Sequence, residues 1–518
     1  MPGRWGQIGC ALLLLLAGCA TLPENFQRPQ TCALNDTGNT PLAGLRAASR
    51  SAHPGKSGFH LLNNGLDAFA ARASLADLAE RSLDVQYYLY HDDMIGRLMT
   101  DQLLKAADRG VRVRLLVDDM GLDGRDLSVA TLDGHPNVEV RIFNPFSRNV
   151  GRTSQYVTRL GSVTRRMHNK TFTVDNQVTI LGGRNIGNEY FDANPDLVFA
   201  DLDVMAIGPL VGEVSALFDQ YWNCELAYPA RVLVRKPPTR DQVARMRLQI
   251  EKYVSGKAGF PYLEVLGRAS VAEQILEDRI DFGWGDAQLV YDQPEKVLQD
   301  TSRTELTLGS QLQPYWEGLE EEVIIFSPYF VPGKPLAKLL IQLAGRGVRV
   351  RILTNSLASN DVGLVHAGYA KYRKALLRAG VELYEMNRML TREQRKAKKG
   401  REGRAKASLH AKSFVFDRKE VFIGSLNLDH RAMIQNTEVG VVIDISDIAE
   451  EMAQTFERTI AQSAFRLALR KRKSGRDRIV WHGRENGKPV VYTHEPYSGF
   501  WRRFGIGFLS LLPIESQL

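Results

Sequence analysis

The sequence lacks the spacings that hold a metal: no Cys-x-x-Cys and no His-Glu-x-x-His occurs in 518 residues with only four cysteines. It also lacks an apolar run long enough to cross a bilayer, since CALLLLLAG falls far short of the roughly 20 residues a spanning helix needs. Nor does it have the composition of a disordered or fibrous chain, with 44% of residues hydrophobic and 24% charged. What remains is a globular chain. At this length two domains, or two lobes sharing an interface, are expected. Neither a metal nor a cofactor is expected.

The short apolar run, preceded by Arg4, reads as the core of a signal segment. The box LAGC that closes it resembles the bacterial lipoprotein signal, which makes residues 1–18 a signal peptide and puts a diacylglyceryl group on the Cys19 sulfur. A plain secretory signal is the alternative. Acyl chains on Cys19, each buried CH2 contributing about 0.8 kcal/mol, would hold the chain on a membrane of the bacterial cell envelope, facing the periplasm. Ala20 is not the aspartate linked to inner-membrane retention, so both membranes stay open. Cys32 and Cys224 would then be the remaining thiols, able to form one disulfide in an oxidising compartment.

The formal charge of +8 suits an anionic partner without choosing between phospholipid headgroups and nucleic acid. Much of the excess lies in TREQRKAKKGREGRAKAS and RLALRKRKSGRDR. Each is either a contact for an anionic surface or a solvated face.

Self-similarity organises the rest. ADRGVRVRLLVDD, ending at Asp119, matches AGRGVRVRILTNS, ending at Ser356. Ahead of each lies a β-rich run, SLDVQYYLYHDD or EEVIIFSPYFVP, and between run and match a helical pattern ends at a glycine. Each half is thus a strand, helix, strand unit, which implies a parallel pair with a right-handed crossover. Further strands follow in the same order in both halves: VEVRIFNP and VELYEMN, VTILGGRN and VFIGSLN, LDVMAIG and TEVGVVI. The expectation is an α/β fold of two homologous lobes, residues 32–235 and 237–469, paired about a pseudo-twofold axis, with a basic, amphipathic tail over 470–518.

Within each half sits one constellation. MHNKTFTVD supplies His168, Lys170 and Asp175; SLHAKSFVFD supplies His410, Lys412 and Asp417. Asn185 and Asn427 follow the two histidines at the same interval, just past the GGR and GSL turns. One such string arises easily by chance; two in register do not. If each motif opens a strand, alternation sends histidine and lysine to one face. Two such faces brought together surround one space with two imidazoles and two ammoniums, a set suited to a phosphate diester. Cations and amides would hold the non-bridging oxygens while imidazoles attack and protonate. A lysine so close to the histidine would repel a metal ion.

This pattern, His-x-Lys-x-x-x-x-Asp followed by a glycine turn and an asparagine and present twice, resembles the phospholipase D superfamily. The resemblance covers nearly all of the chain after about residue 60 and implies two phospholipase D-like lobes, each a mixed β-sheet flanked by helices. It further implies a phosphohistidine intermediate, with His168 the nucleophile and His410 the acid and base; that order rests on family habit alone. By the same resemblance Asp175 and Asp417 support the structure more than the chemistry, and Glu438 in NTEVG and Asp201 in FADLD orient the histidines.

SPYFVP, MHNK with GGRNIGNEYF, and GSLNLDHRAMIQNTEVG look like bacterial cardiolipin synthases, the C-type branch in particular. That likeness implies membrane phospholipids as substrates: phosphatidylglycerol joined to a second phospholipid, phosphatidylethanolamine being the associated donor. The alternatives are a phospholipase D-type hydrolase, a secreted nuclease of the same superfamily, and a scaffold with a dead site. Acyl anchoring favours lipid over nucleic acid, and no nucleic-acid partner is expected; an accessory protein stays unknown. The C-terminal PYSGFWRRFGIGFLSLLPIESQL mixes aromatic, basic and apolar residues, which suits either the bilayer interface or packing on the core.

Overall fold

A computed structural model of the chain describes residues 21–159, 161–194, 197–256, 260–267, 269–298, 307–360, 362–387, 406–485 and 487–509. The signal segment 1–18, Cys19, most of the first basic stretch and the last nine residues lie outside them.

Nine strands belong to the first half: β1 (Ser57–Leu62), β2 (Ser82–Tyr87), β3 (Arg112–Asp118), β4 (Val138–Phe143), β5 (Thr171–Val174), β6 (Val178–Gly182), β7 (Leu197–Ala200), β8 (Asp203–Ile207) and β9 (Ala227–Pro229). Eight of them form a sheet ordered β9-β4-β3-β2-β5-β6-β8-β1, parallel only among β2, β3 and β4. The second half repeats it with β10 (Gly283–Tyr291), β11 (Glu322–Phe326), β12 (Arg349–Asn355), β13 (Glu382–Met386), β14 (Lys406–Leu409), β15 (Ser413–Phe416), β16 (Glu420–Gly424), β17 (Val439–Asp444), β18 (Ala464–Lys471), β19 (Asp477–Glu485) and β20 (Lys488–Tyr492). Its sheet runs β20-β19-β18-β13-β12-β11-β15-β16-β17-β10, parallel among β11, β12 and β13.

Helices flank both sheets: α1 (Gly65–Leu78), α2 (Met94–Asp108), α3 (Pro209–Asn223), α4 (Arg240–Val254), α5 (Ser270–Leu276), α6 (Gly333–Gly345), α7 (Gly363–Ala370), α8 (Arg373–Arg378), α9 (Ser446–Ser463) and α10 (Phe500–Leu509). α2 shows why the expected crossovers form. Asp93 caps it by accepting from Gly96 N, its apolar side buries Ile95, Leu98, Met99, Leu103 and Leu104, and Gly110 at φ 95° lets the chain turn into β3. Each such leucine contributes roughly 1.5–3 kcal/mol on burial.

The lobes exchange contacts reciprocally. β1 and β10, at the edges of the two sheets, pair antiparallel, with Ser57 opposite Gly285. β7 of the first half pairs in parallel with β14 of the second, Ala200 opposite Leu409. One apolar cluster takes residues from both lobes, including Leu217, Phe218 and Trp222 of α3 and Met452, Ala453 and Phe456 of α9.

Three features of the structure bear on the lobe bounds, the tail and the two thiols. The first lobe does not stop at residue 235: Tyr262, Val271, Ile275, Ile280 and Phe282 complete its core, so the second sheet starts with β10. Nor is 470–518 a tail throughout, because β18, β19 and β20 extend the second sheet and turn the basic stretch RLALRKRKSGRDR into a hairpin. Cys32 and Cys224 are free thiols, with no disulfide between them.

Candidate active site

Each motif histidine lies just ahead of a strand rather than within one, as β5 begins at Thr171 and β15 at Ser413. What places it is the opposite lobe. His168 N donates to Thr437 O at 2.8 Å, and the next residue, Glu438, accepts from the imidazole, Nδ1 to Oε2 2.8 Å. His410 N donates to Ala200 O at 2.8 Å, and the next residue, Asp201, meets the other imidazole, Nδ1 to Oδ2 2.5 Å. Each ring thus has Nδ1 tied to a carboxylate of the other lobe, which leaves Nε2 as the atom able to react.

Residues just ahead of the histidines are pinned by equivalent positions of the repeat. Met167 N donates to Asp118 Oδ2 at 2.9 Å at the end of β3, and Leu409 N to Asn355 Oδ1 at 2.9 Å at the end of β12. Rings brace the imidazoles: Tyr88 lies edge-on to His168 at 4.9 Å, while Phe199 stacks on His410 at 4.9 Å and Tyr190 meets it edge-on at 5.1 Å. Lys170 and Lys412 are buried beside them, each ammonium bonded to the carbonyl of its motif histidine. Lys412 Nζ also stands 3.2 Å from His410 Nε2.

Burial dominates the electrostatics. It drives His168 well below the ordinary histidine range, and Lys170, Lys412 and His410 push the same way. His410 is lowered too, by burial and Lys412, against the opposing pull of Asp201. Lys170 falls to about 7 through burial. The carboxylates diverge. Burial raises Glu438 well above its usual range, whereas for Asp201 the neighbouring His410 and Lys412 outweigh burial and hold it low.

Two of the sequence-derived residues are not at this centre. Asp175 accepts from the backbone N–H groups of Glu80, Arg81 and Ser82, and Asp417 from those of Glu320, Glu321 and Glu322. Each also opens a hairpin turn with two successive residues at positive φ, Asp175 at 50° and Asn176 at 51°, Asp417 at 48° and Arg418 at 54°. Asn185 is committed as well: its Oδ1 accepts from Leu89 N and its Nδ2 donates to the Tyr190 hydroxyl. Asn427 differs, since its buried Oδ1 has no hydrogen-bond partner among the described residues.

The sequence reading did not single out Asp118, Asn355, Tyr88, Phe199, Tyr190, Ser425 or Gly183. Asp118 and Asn355 occupy the same position of VDD and TNS, so the repeat itself carried that signal. Ser425 bonds Glu438 Oε2, and Gly183, its equivalent, leaves the space that Asp201 fills: a Cβ there would lie 2.1 Å from Asp201 Oδ1. Among the described residues one cluster has the make-up of a metal site, His91, Asp93 and Glu189, with ligand atoms within 4.8 Å of one another. It fits a cation poorly, because Asp93 spends both oxygens on Gly96 N and Asn188 N and His91 pairs with Glu189.

The sequence matches the family described as "Cardiolipin synthase, PLD-like domain" over residues 74–222 and 319–460. It is 43% identical over 467 residues to cardiolipin synthase C of Escherichia coli, covering 90% of this chain and 97% of that protein. A cardiolipin synthase of Staphylococcus aureus is 24% identical, over 73% of this chain and 62% of its own length. Among solved structures, phosphatidylserine synthase of Haemophilus influenzae aligns with a TM-score of 0.53 at 14% identity, covering 80% of this chain and 90% of that one, a likeness of fold.

Proposed function

The chain belongs to the phospholipase D-like family of cardiolipin synthases, and from that membership we propose that it is a phosphatidyl transferase that makes cardiolipin. The donor is a phospholipid such as phosphatidylethanolamine or phosphatidylglycerol; the acceptor is the terminal glycerol hydroxyl of phosphatidylglycerol. Anchoring through Cys19 at the cell envelope, outside the described residues, would keep the enzyme beside both lipids.

The observation that carries the reading is the pair of crossed contacts, His168 with Glu438 and His410 with Asp201. In the proposed first step His168 Nε2 attacks phosphorus, the bond to the headgroup oxygen breaks, and His410 protonates that oxygen. In the second, His410 takes the proton of the acceptor hydroxyl, whose oxygen displaces His168 from phosphorus. The buried ammoniums of Lys170 and Lys412 balance charge on the non-bridging oxygens.

The unequal carboxylates favour this division of labour. A proton on His410 has the ionised Asp201 2.5 Å away, while a proton on His168 faces two lysines and a Glu438 that burial keeps toward the neutral form. His168 is the better neutral nucleophile and His410 the better proton carrier.

The test is incubation of the purified enzyme with phosphatidylglycerol labelled in its acyl chains, with and without phosphatidylethanolamine. The expected product is labelled cardiolipin, with ethanolamine released when the second lipid is present. Phosphatidic acid as the main product would make the enzyme a hydrolase, and no product from any phospholipid would overturn the reading.

A further inference from the structure

The end of the described chain is not a loose tail. After β20 it crosses the second lobe and is locked there by buried charge: Glu495 meets Arg373 of α8 at 2.7 Å and His366 of α7 at 3.3 Å. Arg373 also meets Glu385 of β13 at 3.0 Å, and Trp481 of β19 donates to that carboxylate at 2.8 Å. Beyond this lock α10 packs on α7, where a Cβ on Gly363 would lie 3.5 Å from Ile506. The start of α10 stands out instead, with Phe500 63% and Trp501 79% exposed.

The helices that meet at Gly363 and Ile506 expose further apolar and basic side chains. Val362 and Leu364, flanking the glycine that meets Ile506, are exposed, and so are Lys371 and Lys374 after α7 and Arg502 in α10. No acidic residue occurs from Val362 to Gly380 or from Phe500 to Leu509. Two packed stretches far apart in sequence thus expose aromatic, aliphatic and cationic side chains and, among their described residues, no anionic one. That composition fits the interfacial zone of an anionic bilayer, where rings sit at headgroup depth and cations meet phosphates.

The buried side of α7 connects to the candidate active site. Val365 of α7 packs with Val331 and Tyr329, and Val331 N donates at 2.8 Å to Leu428 O, the residue after Asn427. Asn355, which holds the residue ahead of His410, ends the strand that leads into Val362.

We infer that α7, α8 and α10 form a docking face for an anionic membrane surface, with Phe500 and Trp501 entering the bilayer interface and Lys371, Lys374 and Arg502 resting on the headgroups. The Glu495–Arg373–Glu385 lock holds the segment that leads into α10 against α7 and α8. Docking of this kind needs no turnover, so it stands or falls apart from the chemistry proposed above.

The test uses the full chain on phosphatidylglycerol-containing vesicles with brominated acyl chains, comparing tryptophan quenching in the wild type and in Trp501→Phe. The expected result is a quenched component that the variant lacks. In a lipid titration, replacing Lys371, Lys374 and Arg502 with glutamate should raise the midpoint of that quenching about tenfold or more. Trp501 emission untouched by brominated chains would overturn the inference. So would a lipid-free dimer, seen by sedimentation, that Phe500→Ser with Trp501→Ser disperses, since the face would then be an interface between two copies.

Discussion

Glu438 reaches across the lobe interface to His168, Oε2 to Nδ1 at 2.8 Å, and Asp201 reaches the other way to His410. The two carboxylates do not carry the same charge tendency: burial raises Glu438, whereas His410 and Lys412 keep Asp201 low. Amide replacement should therefore be unequal. Glu438→Gln, which imitates a neutral carboxyl, should lower turnover less than about tenfold, while Asp201→Asn should lower it by about 10² to 10⁴. Steady-state kcat of the two variants decides this, and equal losses would remove the electrostatic basis for assigning the histidines.

Asp175 and Asp417 sit in the hairpin turns, each accepting from three backbone N–H groups. Each Asp→Ala change strips three backbone N–H groups of their acceptor and should cost about 1–3 kcal/mol. The folded fraction should keep kcat within a few-fold. Denaturant titration beside activity at a permissive temperature separates the two effects.

Much of the fold was legible because the repeat stated it twice: β2, α2 and β3, and their equivalents β11, α6 and β12, fall where the matched stretches put them. The histidines, lysines and opposing carboxylates were legible from the duplicated motif and the family resemblance. Less legible were contacts that no periodicity encodes. The pairing of β1 with β10 joins two edges far apart in sequence. The docking of 260–282 on the first lobe depends on apolar residues whose partners lie in α1 and its neighbours. Asn185 and Asn427 look equivalent in sequence, yet Tyr190 takes up one amide while the other keeps an oxygen with no partner among the described residues. Motif spacing fixes where a side chain is, and its neighbours fix what it is free to do.

Lys170 is a cost to stability. Its pKa falls from 10.5 to about 7 because burial penalises the ammonium, so between those values the unfolded chain binds the proton more readily than the folded one. That penalty is absent above about pH 10.5 and grows as pH falls toward 7. Lys170→Met should consequently raise Tm, by more at pH 7 than at pH 10, while activity is lost. A Tm difference that is flat or shrinks toward neutral pH would show that the lysine is not desolvated as described.

Metal removal should leave transfer intact. Lysines occupy the space around both histidines, and the one cluster with ligand spacing among the described residues, at His91, Asp93 and Glu189, is held by its own hydrogen bonds. Activity lost in EDTA and restored by one particular divalent ion would sink the two-histidine mechanism.

Separating the histidines tests the sequence of steps. His168→Ala removes the proposed nucleophile, so no covalent route remains; His410→Ala removes only proton transfer, worth typically 10²- to 10⁴-fold. A donor lipid with a good leaving group needs little protonation to depart. With it, His410→Ala should still form the phosphoenzyme and then stall, because nothing takes the proton of the acceptor hydroxyl. Acid-labile labelled phosphate should then accumulate on His410→Ala and be absent from His168→Ala. The reverse pattern would exchange the roles and overturn the argument from Asp201 and Glu438, while keeping two steps. Label on neither variant nor on the wild type, together with inversion at phosphorus, would mean direct displacement by the acceptor, and the paired imidazoles would need another explanation.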